Sequence, residues 1–200
     1  MPTAKATPSE SKFNQSADLP YGLRIKDFEL AMVDLYDLLY DINSLLISKD
    51  LPRIEETVKP AIFSGIISDV ITASLGKHSR SLTPNQYHNG HPDLILARRH
   101  LDDRVKAGTD GIEIKATKGN RAVDTHGARD AWFCVFRYAV DDATEPASER
   151  NATRVVEITL ARLTLDDYRR NERRSPGSTN TASPNAAGVN KLRGNWIYRE

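Results

Sequence analysis

The feature that most constrains the fold is a change in the spacing of apolar residues half-way along the chain. Between Phe28 and Leu75 they recur at three- and four-residue steps, whereas beyond Gly111 they alternate with polar residues or run in short blocks. A period near 3.6 belongs to helices and a period of two to strands. Helices first and strands afterwards predict a single α/β (α+β) domain with a mixed β-sheet flanked by helices. In the first helix Phe28, Met32, Leu35, Leu38, Leu39, Ile42, Leu45 and Leu46 share one stripe, Asp27 serves as N-cap, and Lys49-Asp50-Leu51-Pro52 ends the run. The second helix is expected from about Pro52 or Arg53 to Leu75, with Gly76 as its stop and Pro60 and Gly65 as sites for a kink. Its apolar residues fall almost all round the cylinder, which predicts burial on most sides.

Strands are expected at Pro92–Ala97, Gly111–Thr117, Ala131–Val140 and Arg154–Arg162, with a helical turn at Thr164–Tyr168 and a last strand at Asn195–Arg199. Residues 1–20, polar and rich in Ser, Ala, Thr and Pro, read as a disordered tail. The domain then spans 21–200, with a flexible loop at about 171–190, where Ser, Pro, Asn and Gly accumulate.

Composition narrows the class of protein. At 39% hydrophobic and 28% charged residues the chain has enough apolar material for a core, which excludes wholesale disorder. Lys plus Arg number 28 and Asp plus Glu 27, so a formal net charge of +1 gives no electrostatic pointer to nucleic acid. The single cysteine, Cys134, lies in an apolar run and reads as a buried structural thiol; it excludes an internal disulfide. No apolar stretch reaches the roughly 18–20 residues of a membrane span, and the start of the chain has no apolar leader segment, so a soluble, cytoplasmic protein is expected. Phosphate-binding loops, dinucleotide fingerprints and nucleophile elbows are all missing from the sequence.

Chemistry concentrates in two of the strand segments. In Gly111-Ile-Glu113-Ile-Lys115-Ala-Thr, alternation puts Glu113 and Lys115 on one face and the isoleucines on the other. Asp93, at the start of the segment Pro92–Ala97, reaches them if the two strands pair. Two carboxylates brought together repel unless a cation lies between them, and hard oxygen donors suit Mg²⁺, or Mn²⁺. Lys115 is placed to hold an attacking water and to neutralise charge developing on a phosphate. The competing reading is a solvated Glu–Lys pair on an exposed sheet face, stabilising by only about 0.2–1 kcal/mol.

Pro92-Asp93, nineteen residues, then Glu113-Ile114-Lys115, with apolar residues around both halves, resembles the PD-(D/E)XK nuclease superfamily. The resemblance covers about Ile54 to Val140 and implies a restriction-endonuclease-like fold. It implies Asp93 and Glu113 as ligands of a divalent ion, the Ile114 carbonyl as a further ligand, and Lys115 acting on the nucleophilic water. The activity it implies is that of a metal-dependent endonuclease cutting double-stranded DNA, as a compact type II restriction enzyme and a homodimer, with the stripe of the first helix as one candidate interface. A junction-resolvase-like repair nuclease and a non-catalytic DNA-binding protein are the alternatives. Lys118, Arg121, His126 and Arg129 follow the motif and are candidate DNA contacts, with Lys77, His78 and Arg80 a second basic cluster. Glu55, Glu56 and Asp69 are candidates for an additional acid from a helix. The His88-x-x-His91 pair could ligate a metal, although His91 alone at the mouth of the site is the simpler expectation.

Overall fold

The computed structural model describes residues 5–119, 123–125, 127–170 and 181–200. Three helices come first: α1 (Ile25–Ile47), α2 (Ile54–Thr57) and α3 (Pro60–His78). Then follow β1 (Leu82–Pro84), β2 (Leu94–Leu96), β3 (Gly111–Lys118), β4 (Ala131–Ala139) and β5 (Arg154–Leu163). The chain continues through β6 (Tyr168–Arg170), β7 (Ala182–Pro184), α4 (Ala186–Gly194) and β8 (Trp196–Arg199). Among the described residues, six strands form one sheet in the order β1-β2-β3-β4-β5-β8, and β6 pairs with β7. Only β3 and β4 run parallel; the other pairs are antiparallel, so the sheet is mixed as expected.

Both faces of the sheet are covered. On one, Phe28, Met32 and Leu35 of α1 and Phe63, Ile67 and Ile71 of α3 pack on Ile112, Ile114, Cys134, Phe136, Ile158 and Leu160. On the other, Phe133, Val135, Ala161 and Leu163 meet Leu192 of α4, with Tyr168 beside them. Cys134 is fully buried, and burial pushes its thiol pKa up, which fits the structural role expected of it.

The helices differ from expectation in instructive ways. Asp27 sits at the third position of α1 rather than at its N-cap, because the helix already begins at Ile25; its carboxylate accepts from the Arg24 backbone N–H at 2.9 Å. Most of the stripe of α1 is taken up by its own core, with Leu38 and Leu45 left 37% and 58% exposed, so the stripe as a whole is not an open dimer interface. Pro60 starts α3 instead of kinking it, as the missing N–H of a proline allows at a first turn. That helix buries one stripe (Phe63, Ile67, Ile71, Ser74, Leu75) and exposes Ile62 and Asp69, so it is not covered on most sides. Gly76 lies inside it, not at its end: a Cβ there would come within 2.5 Å of Pro84, so glycine is needed for the close approach of β1.

The segment read as a disordered tail docks on the body. Phe13 is buried and packs against Tyr198 in a tilted arrangement with ring centroids 4.8 Å apart, and Asn14 N donates to Ile197 O at 2.9 Å. Within the expected loop at 171–190, residues 171–180 lie outside the described residues, while β7 and the start of α4 occupy the rest. Asn185 caps α4 by accepting from the N–H groups of Ala187 and Gly188.

A buried ion network ties α2 to the loop before β5. The Arg53 guanidinium, 3% exposed as a residue, donates to Asn151 O (2.9 Å), Asp141 O (3.0 Å) and Glu56 Oε1 (3.1 Å). Glu55 accepts from Asn43 Nδ2 at 2.9 Å and Thr153 Oγ1 at 3.0 Å. Removing one partner of such a network leaves the others desolvated. Arg53→Ala is therefore expected to lower stability by about 3–5 kcal/mol in urea unfolding. Arg53→Lys should recover little of it, because an ammonium cannot span three separate acceptors.

Candidate metal centre

Residues 91–93 are fixed by backbone contacts before any side-chain chemistry begins. Asn85 Nδ2 donates to Pro92 O at 3.0 Å and to Val105 O at 2.8 Å, and Asn85 N donates to Asp93 O at 2.8 Å. β2 pairs with β3 through Leu94↔Ile112 and Ile95↔Gly111. Gly111 is required here, since a Cβ would meet Leu94 O at 2.1 Å and its φ is +149°. The ladder stops beyond Leu94, and a side chain takes over: Asp93 Oδ2 accepts from the Ile114 N–H at 2.7 Å. A strand residue's N–H and C=O leave on the same side, so the Ile114 carbonyl also leaves on the Asp93 side of β3.

Alternation along β3 does what the sequence predicts. Ile112 and Ile114 are buried in the α1/α3 core, while Glu113 and Lys115 share the opposite face. Lys115 Nζ lies 2.5 Å from Glu113 Oε1 and 3.8 Å from Asp93 Oδ2, so both carboxylates and the ammonium converge. The side chain of Glu113 is only 8% exposed, which removes the reading of a solvated surface pair. His91 closes the group from behind: its Nδ1 lies 2.6 Å from Glu113 Oε2.

The electrostatics of the two acids diverge. Burial raises the Asp93 pKa to about 6, aided by the negative charge of Glu113 and opposed by Lys115 and the Ile114 N–H. Burial acts on Glu113 in the same direction, but the hydrogen bond from His91 and the charge of Lys115 outweigh it and hold Glu113 ionised well below the usual range. Lys115 resists its own desolvation, because Glu113 and Asp93 together raise its pKa and keep it an ammonium. Two carboxylates and one ammonium are gathered here largely out of water, and of the two acids Asp93 is the more readily protonated. That observation, with the oxygen donors of Asp93, Glu113 and Ile114, fits a small divalent ion that keeps most of its waters. Among the described residues no group of three or more His, Cys, Asp and Glu side chains forms a dedicated metal cage.

The other expected residues are distributed unevenly. Lys118 shares the face of Ile114 rather than of Lys115 and pairs with Asp142, so the alternation that aims Lys115 at the site turns Lys118 away from it. Arg129 lies close enough for its charge to oppose that of Lys115. Arg121 and His126 lie outside the described residues. Glu55 and Glu56 belong to the Arg53 network, and Asp69 is exposed on α3. Lys77 and His78 are engaged with Asp34, at 3.1 and 2.9 Å. His88 is exposed whereas His91 is buried, so they form no metal-binding pair. The contact between His91 and Glu113 was missed by sequence reasoning. Its only signal was the closeness of a histidine to Asp93 in the sequence; the pairing with Glu113 is set by the fold.

The chain matches no family model, and no curated protein matches it significantly.

The raised Asp93 pKa means that the folded protein holds this proton more tightly than the unfolded chain does. Its effect on stability therefore worsens as pH rises from the ordinary carboxylate range through about 6, and stays unfavourable above. In metal-free buffer at pH 8, Asp93→Asn is expected to stabilise the fold by on the order of 1 kcal/mol, with the gain vanishing near pH 4. Denaturant titrations of both proteins in EDTA at the two pH values provide the measurement.

Proposed function

We propose that the protein is a divalent-metal-dependent DNA endonuclease, in which Asp93, Glu113 and the Ile114 carbonyl hold Mg²⁺ or Mn²⁺. The observation that carries this reading is the convergence of two carboxylates and one ammonium beside β3, where burial and the charge of Glu113 together raise the Asp93 pKa. Bound there, the ion supplies Lewis-acid polarisation of a phosphate and a water of lowered pKa. The chain's own groups do the rest. Lys115, kept charged by its neighbours, orients the water by hydrogen bonding and stabilises charge developing on the phosphoryl oxygens. Because it is an ammonium it acts as a donor, not as the base. Arg129 adds a second positive charge beside Lys115 for the DNA backbone. Cleavage of both strands at a symmetric site, as by a type II restriction enzyme, calls for two such centres, so a homodimer belongs to the proposal.

The test is incubation of supercoiled plasmid with the full chain and Mg²⁺. Nicking or linearisation is expected, with EDTA abolishing it and Asp93→Ala, Glu113→Gln or Lys115→Ala each lowering the rate by about 10²–10³-fold or more. Discrete fragments identify a restriction enzyme, and preference for four-way junctions a resolvase. If the wild type with Mg²⁺ or Mn²⁺ cuts no duplex, branched DNA or RNA, the proposal fails and a binding protein on this fold remains.

A further inference from the structure

We propose that His91 is a positioning residue for Glu113: its Nδ1–H fixes Oε2 of the carboxylate, leaving Oε1 for the metal and Lys115 for the water. The inference rests on the reading of this site as a metal centre and names a residue that the Asp–Glu–Lys motif does not include.

The geometry is specific. His91 is 5% exposed and its Nδ1 lies 2.6 Å from Glu113 Oε2. An ionised carboxylate only accepts, so the proton of this bond sits on Nδ1. The other ring nitrogen, Nε2, is buried and finds no hydrogen-bond partner among the described residues. A desolvated, unpartnered polar atom costs about 1–3 kcal/mol. A side chain that only filled space at position 91 would carry no such cost, so the polar contact to Glu113 is what the imidazole contributes. The two ring nitrogens point to opposite sides, and Nε2 is therefore not placed to share an ion with Glu113.

Lys115 cannot substitute in this role. It sits between the acids, 2.5 Å from Glu113 and 3.8 Å from Asp93, in the space where a divalent ion's charge would repel it. With Lys115 turned to the water, His91 would be the remaining partner that fixes Glu113 among the described residues. Hydrogen-bond partners behind a metal-binding carboxylate govern affinity in this way, and losing one typically costs 10–100-fold.

Mn²⁺ binding to the full chain, followed by electron paramagnetic resonance, tests this without relying on turnover. His91→Ala is expected to weaken Mn²⁺ by 10–100-fold. His91→Asn returns a donor near the Nδ1 position and should stay within about threefold of wild type. His91→Phe fills the space without a donor and should behave like His91→Ala, and melting curves in EDTA identify the variants that remain folded. Mg²⁺ titrations of cleavage should show the half-saturating concentration rising in His91→Ala while the rate at saturation changes less. If a folded His91→Phe or His91→Ala binds Mn²⁺ like wild type while Glu113→Gln does not, His91 is structural only and the nuclease reading stands. If Asp93→Asn and Glu113→Gln also bind like wild type, or the wild type binds no Mn²⁺, the metal centre and this inference fall together.

Discussion

Side chains of β3 leave alternately on two faces, and both faces are covered. That one strand therefore has to satisfy an apolar core and a polar cluster at once. Ile112 and Ile114 are buried in the larger core, each stabilising by about 1.5–3 kcal/mol. On the other face Glu113 is an ion taken out of water, which costs several kcal/mol before its partners act. The isoleucines hold the strand where Glu113 must be, and His91 and Lys115 supply the bonds that make its burial tolerable. Asp93, immediately before β2, enters the same arrangement in place of a backbone ladder bond, so the edge of one strand pair becomes the floor of the site.

The electrostatic asymmetry follows from that construction. Glu113 faces two donors and stays ionised; Asp93 is bonded to a backbone N–H and stands farther from the shared ammonium. Like charges held this close cannot both ionise freely with a single cation between them. A neutral hydrogen-bonded core of similar size would show no such imbalance.

Much of this was legible in the sequence because it rests on local periodicity. The strict alternation of Gly111–Thr117 placed Glu113 and Lys115 together, and the long apolar blocks located β4 and β5. Several elements were not legible, because long-range packing decides them. β1 is three residues long and exists through pairing with β2. The composition of residues 181–190 reads as loop, yet Asn185 starts α4 there, a capping signal that the neighbouring Ser, Pro and Gly obscured. The polar segment before Asp18 docks through one aromatic ring and a few hydrogen bonds, which average hydrophobicity does not register. The coverage of α3 differs from expectation for a related reason: apolar residues all round a helix do not reveal which of them the neighbours reach. His91 lies outside the strands, where alternation gives no guide, and its partnership with Glu113 across 22 positions is a tertiary fact.

The junction between Phe13–Asn14 and β8 has a bearing on how the chain comes together. Asn14 bonds to Trp196 O and Ile197 O, and Asn195 bonds back to Asp18 across 177 positions. Contacts of such sequence separation carry a loop-closure cost before they contribute, and they slow folding accordingly. During synthesis Phe13 is made long before Tyr198 of β8, so its docking partner is missing until that strand appears.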